Sequence, residues 1–289
     1  MSKLGANHEM STARDRLIAQ LQSEFSDLKA DQFAFSLVIL ENAQISRCGY
    51  RDDVLIYPAS IIKMFYAVAA YHWIEAGKLK KTEELDRAMR DMIVESSNDA
   101  TSYVVDLLTG TTSGPELSAK QMIQWMAKRN LVNQHLASRG FTRINANQKP
   151  WGDGPYGREM VFVTSESGGR NMLTTAETAR LFTDIVQQRA ADQMHCKELL
   201  TLLSRDKSVP SDDPDSQAHT FLAANLPAEI PFWSKAGWTS KVRHDAACLR
   251  LPHLDLVCVI FTENHSKQPA IIQRFGELVV QEMWEMQET

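Results

Sequence analysis

Residues 57–70 read Tyr-Pro-Ala-Ser-Ile-Ile-Lys-Met-Phe-Tyr-Ala-Val-Ala-Ala, a stretch apolar on nearly every side of a helix. Pro58 suits the start, because its missing N–H would have had no partner there, and Gly77 suits the stop. A helix this apolar belongs inside a core, and 289 residues, 44% of them apolar, suffice to surround it. Yet its first turn carries Ser60 and, three residues on, Lys63. Residues three apart share a helix face, and burying a cation costs several kcal/mol unless it is paired or used. The plain alternative, an exposed lysine, conflicts with the apolar run around it. The pattern points to a nucleophile with its base. A serine hydroxyl attacks at neutral pH only if a base takes its proton, and desolvation lowers a lysine's pKa toward that task.

The flanking chain predicts the frame. Residues 1–10 are polar and predict a flexible N-terminus, with 11–289 forming one catalytic domain. Leu17, Ile18, Leu21, Phe25 and Leu28 predict an amphipathic helix over 12–28. Phe33 to Leu40 predicts a strand that turns at Asn42-Ala43 into Ile45 to Tyr50. Helices follow over 83–93, 99–108 (Tyr103, Val104, Leu107 and Leu108 on one face) and 116–136 (Met122, Ile123, Met126 and Leu131 inward). Residues 143–172 predict a long irregular loop, of the kind that is often functional. Leu173-Thr174-Thr175 opens a helix to Gln188, and another covers 196–203. After the acidic loop 206–217 come strands over 230–235, 246–251 and 254–262, then a helix over 271–286. The fold class is α/β, of the two-lobed α+β kind. One antiparallel sheet of N- and C-terminal strands, flanked by helices, spans about 11–57 and 227–289. An inserted all-helical lobe spans about 64–215, and a site belongs in the cleft between lobes.

A net charge of −5 offers no attraction for nucleic acid or an anionic membrane, and no apolar run is long enough for a membrane span. Cys48, Cys196, Cys248 and Cys258 form no C-x-x-C pair and no metal-like spacing with histidine, so no metal is expected. Cys248 and Cys258 lie in neighbouring strand-like runs, where a bridge is possible. Reduced thiols and no visible leader favour the cytoplasm, or a secreted location if a leader has been removed.

Two further motifs accompany Ser60-Ile61-Ile62-Lys63: Ser96-Ser97-Asn98, before a helix, and Lys235-Ala236-Gly237, on a strand. Singly each has a plain reading, the first as an N-cap and the second as a solvated strand edge. In this order, on helix, loop and strand, they resemble the S-x-x-K, S-D-N and K-T-G signature of the penicillin-recognising serine hydrolases. These are the class A β-lactamases and the D,D-peptidase penicillin-binding proteins. The resemblance covers roughly residues 11 to 286.

It implies a cofactor-free acyl-enzyme mechanism with Ser60 as nucleophile and Lys63 as general base. Ser96 would pass a proton to the leaving nitrogen, and Asn98 would hydrogen-bond the substrate amide. Lys235 would lower the pKa of Lys63 and attract an anionic substrate. The backbone N–H groups of Ser60 and Trp238 would hold the oxyanion. Gly237 would let the strand approach the substrate closely. Arg243 stands where a guanidinium for a substrate carboxylate is often placed, unless it is an ordinary surface arginine.

The departures limit what is borrowed. Ser97 replaces an aspartate at a structural position. Ala236 replaces a threonine whose hydroxyl bonds the β-lactam carboxylate, a loss of roughly 1.5–3 kcal/mol. The E-x-x-L-N motif that positions the deacylating water is absent between Trp151 and Leu173, where Glu159 and Glu166 are the only carboxylates after Asp153. These two are the candidates for the deacylation base; without one, acylation should survive while deacylation of a β-lactam slows. His244-Asp245 is the other candidate for a base or for orienting Arg243, with only one of the two able to face the cleft; a strand-end turn pair is the plain reading.

The expected activity is hydrolysis of an amide, a β-lactam or a relative, by a class A β-lactamase-like enzyme. One alternative is a D,D-peptidase or esterase that acylates but frees β-lactams slowly. Another is a non-catalytic binding or sensor domain. The partner is a small-molecule amide or ester, and the oligomeric state stays open.

Overall fold

The computed structural model describes residues 3–42, 44–151 and 154–287; Ala43 of the expected hairpin turn and Asp153 of the long loop lie outside them. Helix α1 (Lys3–Glu24) begins well inside the segment expected to be flexible. Its apolar stripe runs back through Ala13 to Met10, which is buried with Leu17 and Leu21. Strands β1 (Phe33–Glu41) and β2 (Gln44–Tyr50) follow as the expected hairpin.

Next come a 3-10 turn (Ala59–Ile61) and helix α2 (Ile62–Glu75), both buried along most of their length. The predicted first helical turn is thus the tighter 3-10 form. Gly77, at φ +67°, ends the helix in a left-handed conformation that a side chain would resist.

Helices α3 (Glu83–Ile93) and α4 (Asn98–Thr109) follow. On α4 the buried stripe is Thr101, Val104, Val105 and Leu108, at i, i+3, i+4 and i+7, so Tyr103 and Leu107 face outward, contrary to the sequence reading. The expected long helix is two, α5 (Ala119–Arg129) and α6 (Leu131–Ser138), broken at Asn130. Met122, Trp125, Val132 and Leu136 are the buried positions, while Ile123, on α5 ahead of the break, is 70% exposed and Leu131 37%. The long loop contains a short helix, α7 (Gly157–Val163).

Helices α8 (Thr175–Val186) and α9 (Gln193–Leu203) complete this lobe, with Thr174 and Asp192 as their caps. The region expected to be all-helical also supplies a two-residue strand, β3 (Ser204–Arg205). Strands β4 (Phe232–Trp238), β5 (Val242–Arg250) and β6 (Asp255–Glu263) and helix α10 (Pro269–Gln287) close the chain.

The sheet is antiparallel throughout, in the order β2-β1-β6-β5-β4-β3. One face packs on α1 and α10, through Phe33, Phe35, Leu37, Leu256 and Phe275. The other packs on α2 and α8, through Ala34, Val38, Val257 and Phe261. Burial on both faces explains why β1 reads as an unbroken apolar run rather than an alternation. In the β5–β6 register Ala247 opposes Cys258, and Cys248 opposes Val257. The two cysteines therefore point to opposite faces, and all four are unpaired. No described helix is long and apolar enough to cross a membrane.

Candidate active site

Three chain segments meet where the sheet lobe touches the helical lobe. The first is the 3-10 turn with α2. Ser60 is half-buried there, and its hydroxyl makes no hydrogen bond among the described residues. Ala59, just before it, sits at φ +46°, in a region that costs a side-chain-bearing residue about 1–3 kcal/mol. The second is the bend ahead of α4, where Ser96 is likewise left-handed, at φ +56°. Ser97 caps α4 by accepting from Ala100 N–H at 3.1 Å, so serine does the capping that an aspartate could do there. The third is β4.

Lys63 is fully buried. Its Nζ donates to the Ser96 carbonyl, to Asn98 Oδ1 at 2.9 Å and to Ser96 Oγ at 3.3 Å. Lys235 is equally buried, and its Nζ donates to the same Ser96 Oγ at 2.9 Å, to Gln217 Oε1 at 3.1 Å and to the Ala236 carbonyl at 3.0 Å. Ser96 Oγ thus accepts from two lysines, which leaves its own proton free to point into the cleft.

Burial lowers the Lys63 pKa to about 7. Lys235 is also held well below its usual range, first by burial and then by the neighbouring Lys63 and Arg205 charges. All acceptors on Lys63 are neutral, so nothing restores its charge. No hydrogen bond joins Lys63 to Ser60 in this state of the site.

Gly237 has a sharper role than the sequence reading assigned it. A Cβ there would lie 2.7 Å from Pro58 O, 2.9 Å from Ser60 N and 3.1 Å from Ile61 N. The glycine therefore lets β4 abut the serine turn itself. Trp238, half-buried, packs its ring against Phe221, with centroids 5.4 Å apart.

Arg243 is neither a surface residue nor free. It is 6% exposed, lies 4.0 Å from the Phe221 ring, and donates to Thr220 O and Oγ1 at 3.1 and 3.0 Å and to Asp215 at 3.4 Å. His244 and Asp245 are both buried, and neither matches the strand-end turn pair of the plain reading. His244 Nδ1 accepts from Thr262 N–H at 3.0 Å, so its Nε2–H donates to Tyr57 O at 2.9 Å, bracing the chain just ahead of the serine turn. Burial drives its pKa down to about 4, which keeps it neutral. Asp245 accepts from Leu222 N–H at 3.0 Å.

Neither loop carboxylate shares a hydrogen bond or ion pair with Ser60 or Lys63. Glu166 is exposed in a turn. Glu159 is fully buried and engaged elsewhere: its Oε1 accepts from Arg129 at 2.7 Å and Ser113 at 2.9 Å, with the Lys149 ammonium at 4.0 Å. What the long loop brings to α2 is neutral. The Tyr66 hydroxyl, one turn beyond Lys63, lies 2.7 Å from Gln148 O and 3.1 Å from Asn171 Oδ1. Asn171 also accepts from Asn147 N–H and Gln148 N–H, which locks the two arms of the loop together.

Sequence reasoning missed Arg205, Gln217 and this amide network. The network had a signal, since Asn145, Asn147, Gln148 and Asn171 crowd a loop with no periodicity. Arg205 and Gln217 had none, because their neighbours on the chain are ordinary loop residues.

The model of the beta-lactamase enzyme family matches residues 16–283. No curated protein sequence matches the chain. Among solved structures, the chain is similar to a beta-lactamase from Sphaerobacter thermophilus (19% identity, TM-score 0.63, covering 92% of this chain and 95% of that one). It is also similar to a representative class A beta-lactamase from Bacteroides cellulosilyticus (14%, TM-score 0.65, 94% and 98%). A third is a mutant of PBP-A, solved as an acyl-enzyme complex with penicillin G (17%, TM-score 0.66, 94% and 97%). At these identities the structural likeness speaks for the shared fold.

Proposed function

The chain belongs to the beta-lactamase enzyme family, and on that premise we propose that it is a serine hydrolase that opens an amide through an acyl-enzyme on Ser60. The observation that carries this reading is the bridge of Lys63 Nζ, Ser96 Oγ and Lys235 Nζ beside an unengaged serine hydroxyl. In the proposed reaction neutral Lys63 takes the Ser60 proton as Oγ attacks the carbonyl carbon. The oxyanion forms against the N–H groups of Ser60 and Trp238. The proton passes through Ser96 to the leaving nitrogen, and the C–N bond breaks. Asn98 holds the substrate amide, and Lys235 orients the Ser96 hydroxyl. A binding or sensor domain would have no use for a buried, unneutralised Lys63, whose retention disfavours that alternative.

Release is the slow half of this reaction. With no carboxylate bonded at Lys63, deacylating water lacks a strong base, so a β-lactam adduct on Ser60 persists, in the manner of a penicillin-binding enzyme. Intact mass followed over time, after mixing with a fluorescent penicillin and a chromogenic cephalosporin, tests both halves. A lasting adduct that is absent in Ser60→Ala is expected. Rapid turnover would restore the efficient β-lactamase reading. No adduct and no turnover, with Ser60→Ala no less active than the parent on ester substrates, would sink the hydrolase reading.

Glu159→Gln separates structure from catalysis in the long loop. It removes the carboxylate opposite buried Arg129 and should cost about 1–3 kcal/mol in urea unfolding, with the adduct lifetime unchanged. A lifetime lengthened severalfold would instead assign Glu159 the deacylating role.

A further inference from the structure

The acidic loop ends in a side chain that reaches into the site. Gln217 Oε1 accepts three hydrogen bonds: from Lys235 Nζ at 3.1 Å, from Ala236 N–H at 2.9 Å and from Arg205 Nη2 at 3.2 Å. Its Nε2 donates to the Val94 carbonyl at 3.0 Å, in the helical lobe, so one amide ties β4 to the bend before α4. Two of the three donors are cations. Burial draws Arg205 down to about 10 and holds Lys235 well below its usual range, so neither charge is fully compensated.

Among the described residues no carboxylate bonds either cation. Lys235 otherwise donates to Ser96 Oγ and Ala236 O, and Arg205 to Ser234 O and Oγ and to Ile93 O. Asp245 acts on both, and Glu95 on Arg205, only through space, and Asp245 is itself pushed up to about 6 by burial. Three donors, two of them charged, that converge on one oxygen form a seat for an anionic oxygen. A neutral amide oxygen fills it.

We propose that Gln217 is a specificity-determining residue of this site. Its amide oxygen keeps the Lys235–Arg205 seat occupied, so the enzyme takes substrates that are uncharged at that position, an ester or a neutral amide, in preference to carboxylates. A carboxylate enters only by displacing Oε1 from all three donors and breaking the link to Val94. A neutral substrate leaves the seat untouched. The kinetic arm of this proposal rests on acylation at Ser60; the binding arm does not.

The test compares benzylpenicillin with its methyl ester as acylating agents, by intact mass, in the parent protein, Gln217→Ala and Gln217→Glu. Emptying the seat should raise the acid-to-ester rate ratio by about tenfold or more in Gln217→Ala. Gln217→Glu, which places a fixed carboxylate there, should lower the ratio below the parent's. Opposite shifts do not arise from simple damage to the fold, and the glutamate variant, equal in size, carries the test if the alanine variant does not fold.

In the binding arm, benzoate should raise the melting temperature of Gln217→Ala and not that of the parent, with benzamide raising neither. An unchanged ratio in both variants, or benzoate stabilising the parent as much as Gln217→Ala, would overturn the proposal. If neither penicillin labels Ser60 in any of the three proteins while benzoate still discriminates, the seat stands and the hydrolase reading falls.

Discussion

Lys63→Met should abolish labelling of Ser60 by a fluorescent penicillin, by about a hundred- to ten-thousand-fold, with the fold retained. Methionine fills the same buried space without the proton acceptor. The reaction should follow the amine's titration: burial places Lys63 near 7, so acylation by the parent rises with pH through about 7. The stability comparison has a definite sign. The folded protein favours the neutral amine, whereas the unfolded chain takes up a proton at any pH below about 10.4. The full cost of burying Lys63 is present below pH 7, shrinks as pH rises from 7, and is gone above about 10.4. The parent should therefore gain stability relative to Lys63→Met across that window, by an amount of order 5 kcal/mol. Urea unfolding of both proteins at pH 7 and pH 10 reads the difference. Labelling of Lys63→Met at the parental rate would remove Lys63 from the mechanism.

Gly237→Ala should be nearly as damaging, through geometry alone. The added methyl meets Pro58 O, Ser60 N and Ile61 N, all of them backbone, so no side chain can turn aside. Either β4 or the serine turn must move. His244 holds the carbonyl of Tyr57 from behind, which leaves the turn little room to yield. A displacement of about 1 Å at a nucleophile costs about a hundredfold in rate, and overpacking costs about 1–3 kcal/mol in stability. Acylation rate and melting temperature together check this. An acylation rate within twofold of the parent's would show that the turn and the strand are not rigidly opposed.

Much of this was legible along the chain. The apolar run of α2 required a core, and Ser60 and Lys63 within it required a use. The strands and most helices followed from period and from punctuation such as Pro58 and Gly77. What stayed hidden depended on long-range packing. The rotation of α4 that turns Tyr103 and Leu107 outward, and the break at Asn130, are decided by which neighbours cover each face. The fate of Arg243, tied to Thr220 and Asp215, needed the position of a loop that carries no periodic signal. The same is true of Gln217, whose importance comes from three donors contributed by β3 and β4. Glu159 shows the converse difficulty: a carboxylate in the expected stretch of sequence is bonded to Arg129, a partner that only the fold reveals.

The sheet order has a consequence for how the protein comes into being. Strand β1 pairs with β6, so Phe33 finds its partner, Thr262, only when almost the whole chain has left the ribosome. The helical lobe, rich in local contacts, can collapse during synthesis, while β1 and β2 wait as a hairpin with one open edge. Lys235 and Gly237 also arrive late, on β4, shortly before the strand β6 that closes that edge. Ser60 is among the earlier parts synthesised, and the β4 residues that abut its turn come late, so a nascent or truncated chain carries Ser60 without them.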